Sequence, residues 1–330
     1  MNEKKMTLGI VIPNRNDSVY LEKCISSITN QTNFPDEVII LDDNSSDNSL
    51  EVIEKCINGY NFFKLIKNKK QLGAIENSNK GLSLSTTDYV FFLGANDFIY
   101  PNFVEEYKKI INSSSIEYGV LSGLVNLVDT NDKLIKTHNS PIISTDQIYI
   151  NSDLCINYFN KFGSWLTGQS LVYKRSYLME CGFDTRLGGL NDLFSAVNIA
   201  CKFGAVFIPK ILGVMRIHPN AFLQNTLLDE SKMKEIFNII AHDGPLLNKK
   251  LFTDKTITKL FNRLRFSAFA SALKSNKSYD YLFSSKIILL IIKLLPLTNL
   301  KFIFGLIYFR WFDIFLSIYY REIKKLFIKI

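Results

Sequence analysis

Apolar and polar positions alternate in blocks along the first hundred residues, and the block lengths predict strands and helices in turn. Thr7-Leu-Gly-Ile-Val-Ile-Pro13, Glu37-Val-Ile-Ile-Leu41, Phe62 to Ile66 and Tyr89 to Leu93 are short apolar runs bounded by Pro, Asn, Asp or Gly, as buried strands are. Between them, Leu21, Cys24, Ile25 and Ile28 recur at helical spacing behind Asp17 or Ser18, either of which can cap a helix. Two further helices are expected from about Asn48 to Ile57 and from Ala74 to Leu84. Strands joined by helices of this length predict right-handed crossovers and a mostly parallel sheet, the nucleotide-binding type of α/β half-domain.

Beyond a helix near Asn102 to Ile111 the rhythm changes. Tyr118 to Asp129 mixes apolar and small residues, and polar turns follow at Thr130-Asn-Asp132 and Ser140-Pro141. This segment predicts a mixed or antiparallel extension of the sheet with looser loops. Helical spacing returns at Leu193, Val197, Ala200 and Cys201, closing at Gly204, and Val206 to Pro209 predicts one more short strand.

Composition places a large core within reach: the chain has 330 residues and is 47% hydrophobic. The five cysteines are widely spaced with no Cys-x-x-Cys pair, which predicts reduced thiols in a cytoplasmic protein and argues against a disulfide framework or a zinc site. The start of the chain lacks the apolar stretch of a signal peptide. The net charge of +8 is unevenly spread. Lys249 to Ile330 holds 16 Lys and Arg against 4 Asp and Glu, whereas the rest holds 23 against 27. The basic character therefore marks a C-terminal interaction surface and gives no reason to expect nucleic acid.

Acidic residues stand at two predicted strand ends, Asp42-Asp43 and Asp97. Ligands of open α/β sheets sit beyond the carboxyl ends of the strands, where carboxylates can accept hydrogen bonds from a nucleotide or ligate a hard cation. Gly, Asn and Asp are also ordinary turn residues, so Gly94-Ala-Asn-Asp97 reads equally as a turn. Neither a phosphate-binding Gly-x-x-x-x-Gly-Lys-Ser/Thr loop nor a Gly-x-Gly-x-x-Gly is present.

Taken in order, Gly9 to Asn16, Ser26 to Thr32, Val38 to Asp47, Leu72-Gly73, Asn79-Lys-Gly81, Asp88 to Leu93, Asp97, Gly168, Gly182-Phe-Asp184, Asn191-Asp192, Gly204, Ile208-Pro209 and Met215 to His218 resemble the family 2 inverting glycosyltransferases. The resemblance implies a GT-A fold, a Rossmann-like mixed sheet flanked by helices, over residues 1–225. A basic, mainly helical region would follow over 226–330. It also implies transfer of a sugar from a nucleotide-diphosphate sugar to a glycan or lipid-linked glycan acceptor in surface polysaccharide synthesis. By resemblance Asp43 contacts the base, and Pro13, Asn14, Arg15, Gly73 and Asn96 border the donor. Asp97 and His218 hold a divalent cation, Mn2+ or Mg2+, and Asp192 is the general base. The chain departs from the family at Gly94 and Asn96, where carboxylates are usual, and at Asn191, where an acidic residue is usual. A relative that binds without turnover and a membrane-surface scaffold are the rival readings. Asp184 is expected to fix a turn, Trp165 to lie in the core or on a sugar face, and His138 and His242 to lie on the surface.

From Tyr281 onward, lysines and arginines interrupt the apolar runs, so no spanning helix is expected. Phe312, Phe315, Leu316, Tyr319, Ile323, Leu326 and Phe327 share one helical face opposite Arg321, Lys324 and Lys325. That pattern suits the surface of an anionic membrane, on the inner face of the cell membrane, or packing on the catalytic domain.

Overall fold

The structure is a computed structural model and describes residues 5–113, 116–137, 141–218 and 222–275. In chain order its elements are β1 (Leu8–Asn14), α1 (Ser18–Thr29), β2 (Glu37–Asp42), α2 (Ser49–Ile57), β3 (Phe63–Lys67), α3 (Ala74–Leu84), β4 (Tyr89–Phe92) and β5 (Phe98–Ile99). There follow α4 (Phe103–Ser113), β6 (Val120–Val128), β7 (Leu134–Thr137), β8 (Ile148–Ile150), α5 (Ser152–Phe162), β9 (Leu171–Lys174), α6 (Arg175–Cys181) and α7 (Asn191–Phe203). The described chain continues through β10 (Ala205–Arg216), α8 (Phe222–Leu228), α9 (Glu230–Leu247) and α10 (Asp254–Ser275).

The strands form one mixed sheet in the order β3-β2-β1-β4-β9-β6-β10-β5, with β7 on β6 and β8 on β10. β1 pairs in parallel with β2 and β4, so the carboxyl ends of all three point to one edge. β9 then enters antiparallel between β4 and β6, which makes the sheet mixed as the sequence suggests. β6 and β10 run parallel, and β10 changes register between Phe207 and Ile211 and again before Gly213. These bulges pass Pro209, which cannot donate to a ladder, and let the strand run on to Arg216 where the apolar pattern predicts an end at Pro209.

Alternate residues of the central strands feed two cores. Ile10 and Ile12 pack with Leu21, Cys24, Ile25 and Ile28 of α1 on one face, while Val11 joins the core on the other. Each such side chain removed from water contributes roughly 1.5–3 kcal/mol. On the second face α3 lies against β1 because residue 81 is glycine: a Cβ there would stand 2.4 Å from Val11 Cγ1. Ile236 and Ile240 of α9, Leu251 and Phe252, and Ile257 of α10 belong to this same core. One compact unit therefore runs to Ser271, past the boundary at residue 225 read from the sequence. No helix among the described residues is long and apolar enough to cross a membrane. His138 and the basic amphipathic face beyond Tyr281 lie outside the described residues.

Candidate donor and acceptor site

The carboxyl ends of β1, β2 and β4 gather the residues singled out from the sequence. Asn14 closes β1 directly opposite Asp42. Its Nδ2 donates to Asp42 Oδ1 at 2.8 Å and to Ser45 Oγ at 3.2 Å, while its buried Oδ1 has no partner among the described residues. Asp42 also accepts from the Ser45 N–H at 3.0 Å, so it serves the loop after the strand. Pro13 is half-buried and Arg15 is exposed on the following turn. α1 begins beyond it, capped differently from expectation. The Asp17 side chain makes no capping bond, and Asp47 Oδ2 accepts the Ser18 N–H at 3.0 Å.

Asp43 is buried and held from three sides. Its Oδ1 accepts from Asn68 Nδ2 at 3.0 Å and from the Leu72 N–H at 2.7 Å, and its Oδ2 accepts from the Gly73 N–H at 2.8 Å. Gly73 adopts φ +93°, the left-handed region that lets its N–H turn back to the carboxylate before α3 begins. Asn68 is itself fixed by Asn77 Oδ1 at 2.8 Å and Lys80 Nζ at 2.7 Å. A carboxylate has about four acceptor positions, so Oδ2 retains one for an incoming N–H.

At the β4 tip Asp97 is 4% exposed, and its Oδ1 accepts the Arg216 main-chain N–H at 2.6 Å. Burial raises its carboxyl to about 7, against the pull of the Arg216 N–H and charge and with a push from Asp17. Asp17 is raised to about 6 by burial and by Asp47, with Arg216 acting the other way. The Arg216 side chain is buried beside them. Its Nη1 donates to the Asn96 carbonyl, its Nη2 pairs with Asp132, and its plane lies 4.3 Å from the Tyr20 ring centroid. His218 packs edge-on against Tyr20 at 5.4 Å, and burial and Arg216 lower its pKa. Its Nε2 is buried without a partner among the described residues.

These donors do not fit a divalent cation in this arrangement. Asn96 supplies an amide where a charged oxygen is usual, one oxygen of Asp97 accepts the Arg216 main-chain N–H, and the Arg216 guanidinium, bound to the Asn96 carbonyl, opposes a second cation there. Gly94 makes room for this closure, since a Cβ there would stand 2.9 Å from Asp97 Oδ2 and 3.0 Å from Asn96 Oδ1. Among the described residues, no three His, Cys, Asp or Glu side chains are placed to hold a metal ion. Of the expected pair, Asp97 lies against the Arg216 main-chain N–H and His218 lies edge-on to Tyr20.

Asp192 opens α7 and is accessible to solvent, although its Oδ1 is bound by the Leu193 N–H at 2.7 Å. Desolvation by the protein around it raises its carboxyl, with the backbone N–H of Leu193 acting the other way. The turn Gly168–Ser170 joins it to the β4 tip. Gln169 Oε1 accepts the Gly94 N–H at 3.3 Å, and a Cβ on Gly168 would lie 3.3 Å from Asp192 Oδ2. Trp165 is a core residue beside Phe207, and Asp184 caps a turn through the Arg186 N–H at 2.9 Å. His242 is exposed beside Asp243. Sequence reasoning gave no role to Arg216, Lys23, Asp132 or Asn68. Arg216 lies inside the quoted Met215 to His218 stretch, but its partners are distant in sequence.

The carboxyl edge of the parallel strands carries a cradled acceptor at Asp43, and Asp192 stands at the start of α7 behind the Gly168–Ser170 turn, the arrangement of a ligand-binding α/β fold. Residues 9–144 match the family model of Glycosyl transferase family 2. The poly(ribitol-phosphate) β-N-acetylglucosaminyltransferase TarP of Staphylococcus aureus is 36% identical over 122 residues, 34% of this chain and 37% of TarP. The chain spans about a third to a half of the length of several such relatives. In fold it is similar to S. aureus TarS in complex with UDP-GlcNAc, with a TM-score of 0.58 at 16% identity over 84% of this chain and 78% of that one. It is also similar to the mannosyltransferase PcManGT of Pyrobaculum calidifontis in complex with GDP-Man and Mn2+, with a TM-score of 0.55 at 16% identity over 89% and 81%. The architecture is GT-A.

Proposed function

We propose that the chain transfers a sugar, with inversion, from a nucleotide-diphosphate sugar to a hydroxyl of a glycan acceptor. The observation that carries this reading is the Gly168–Ser170 turn, which sets Asp192 beside the strand tip where a donor would lie. Asp43 offers its remaining acceptor position to an N–H of the base, and Asn14, Pro13, Arg15 and Gly73 border it. Asp192 takes the proton of the acceptor hydroxyl as that oxygen forms its bond to the anomeric carbon. The bond from that carbon to the diphosphate breaks, and its electron pair leaves on the diphosphate oxygen. A carboxyl raised above its ordinary range is a better base for this than a fully hydrated one. The name of TarP, a poly(ribitol-phosphate) β-N-acetylglucosaminyltransferase, supports a polymer acceptor by likeness, and UDP-GlcNAc and GDP-Man are the donors bound by TarS and PcManGT, which share this fold. Replacing Asp192 by Asn should lower transfer by about 10³-fold or more while leaving donor binding within about twofold. Unchanged transfer would sink the assignment.

The basic face beyond Tyr281 supports a second element of this reading, docking on an anionic membrane where a lipid-linked acceptor resides. The full chain should float with vesicles containing anionic lipid, and a chain ended near Asp280 should stay in the pellet fraction. Flotation of the shortened chain would remove the idea.

A further inference from the structure

Building on that reading, we infer that Arg216 and Lys23 meet the charge of the leaving diphosphate in this chain, without a divalent cation, and that Asp132 occupies their diphosphate position until the donor arrives.

Asp132 sits at the turn between β6 and β7 and presents its two oxygens to two cations. Oδ2 pairs with Lys23 Nζ at 2.7 Å, and Oδ1 pairs with Arg216 Nη2. Two anionic oxygens gripped by a guanidinium and an ammonium are also how a phosphate group is held. Both cations are aimed by aromatic rings: Lys23 Nζ lies 4.0 Å from the Phe98 centroid and the Arg216 guanidinium lies over Tyr20. Arg216 reaches the β4 tip itself through the Asn96 carbonyl. It also has unused capacity, because its buried Nε has no partner among the described residues.

The cover over these cations is small and peripheral. The Arg216 side chain is 2% exposed, whereas that of Asp132 is 36% exposed. β7 is exposed at each of its four residues and pairs with β6 alone. The turn is held by its own bonds, Asp129 Oδ1 accepting the Asn131 and Lys133 N–H groups at 2.9 Å each. It can therefore swing as a unit, exchanging one anion for another at the same two cations.

The missing carboxylates at residues 94 and 96 follow the same logic. A site that neutralises its leaving group with two fixed cations has no use for extra anions there, and a second cation beside Arg216 would be repelled. The negative charge that appears on the diphosphate oxygen as its bond to the anomeric carbon breaks then falls between Lys23 and Arg216. The transition state is stabilised by groups already in place.

Calorimetric titration of the full chain with UDP and GDP, and with uridine and guanosine, in EDTA and again in Mn2+, tests this. One diphosphate should bind in EDTA at least tenfold more tightly than its own nucleoside. Asp132→Asn should strengthen that binding about tenfold and leave the nucleoside unaffected, because the competing anion is gone. Lys23→Met should weaken diphosphate binding about tenfold, again with the nucleoside unaffected. Its side chain is half-exposed, so it carries the test should the Asp132 variant not fold. Diphosphate binding that appears only with Mn2+, or an Asp132→Asn variant that binds no better, would overturn the inference and leave the transferase reading standing. Binding of none of the four compounds in either buffer would remove the transferase reading itself, and this inference with it.

Discussion

The carboxyl of Asp97 and the main-chain N–H of Arg216 meet at 2.6 Å across 119 residues of sequence, joining the tip of β4 to the last residue of β10. Burial holds that carboxyl at about 7 and Asp17 beside it at about 6, both above their ordinary value of 3.8. In the unfolded chain both groups lose their protons near pH 4, whereas in the folded chain they keep them to pH 6 or 7. Between these limits the folded state binds more protons, so its stability falls as pH rises from about 4 to about 7. Asp97→Asn should remove much of that slope, by a few kcal/mol at most across the window, as read from urea denaturation at pH 4.5 and 7.5. A variant whose stability follows the same slope as the parent would place the titration elsewhere.

Asn68 stands behind Asp43, donating to Asp43 Oδ1 and held in turn by Lys80. Removing its amide frees one acceptor position on a buried carboxylate and loosens the orientation of the other. Asn68→Ala should weaken nucleoside binding roughly fivefold to tenfold, about 1–1.4 kcal/mol, with little change in kcat once donor saturates. A loss confined to kcat would place Asn68 with the reacting groups instead.

What the sequence reveals of this fold follows from how local each signal is. The stripe Leu21, Cys24, Ile25 and Ile28 is legible because one helix face repeats within eight residues, and all four side chains are buried. The strand ends at Asp43 and Asp97 are legible because apolar runs stop there abruptly. β9 is not, since Leu171–Lys174 is four residues long, is buried throughout and shows no alternation; its place between β4 and β6 is a long-range choice. The surroundings of Arg216 are hidden for the same reason. Its partner Asp132 lies 84 residues away, and a bulged strand through Pro209 is needed to bring the two together. Asp17 occupies the expected capping position, yet its side chain makes no cap, and Asp47, from the loop after β2, accepts the Ser18 N–H.

The contact between Gly81 and Val11 sets how closely α3 approaches the sheet. A methyl group at residue 81 would fall 2.4 Å from Val11 Cγ1 and 2.9 Å from Leu41 Cδ1, closer than packed carbons allow. Helix or strand must shift, and the cost of such overpacking is about 1–3 kcal/mol. Gly81→Ala should therefore lower the urea midpoint, although alanine is the better helix former. A midpoint equal to that of the parent would mean that α3 moves freely against β1.

Gly168 offers a way to disturb the proposed base without touching it. Its added Cβ would lie 3.3 Å from Asp192 Oδ2, tight enough to push the carboxyl by a few tenths of an ångström. No backbone strain accompanies the change, because residue 168 does not adopt a left-handed φ. Proton transfer is sensitive to such displacements: a shift of about 1 Å costs on the order of a hundredfold, so a smaller one should cost about threefold to tenfold. Gly168→Ala should accordingly reduce kcat by that factor at unchanged donor affinity and unchanged melting temperature. Gly168→Ser, which can donate a hydrogen bond to the same carboxylate, should in addition lower the Asp192 pKa and move the acid limb of the pH–rate profile downward. If neither variant alters the rate while Asp192→Asn abolishes it, the base acts from a side-chain position other than the one it holds beside the Gly168–Ser170 turn.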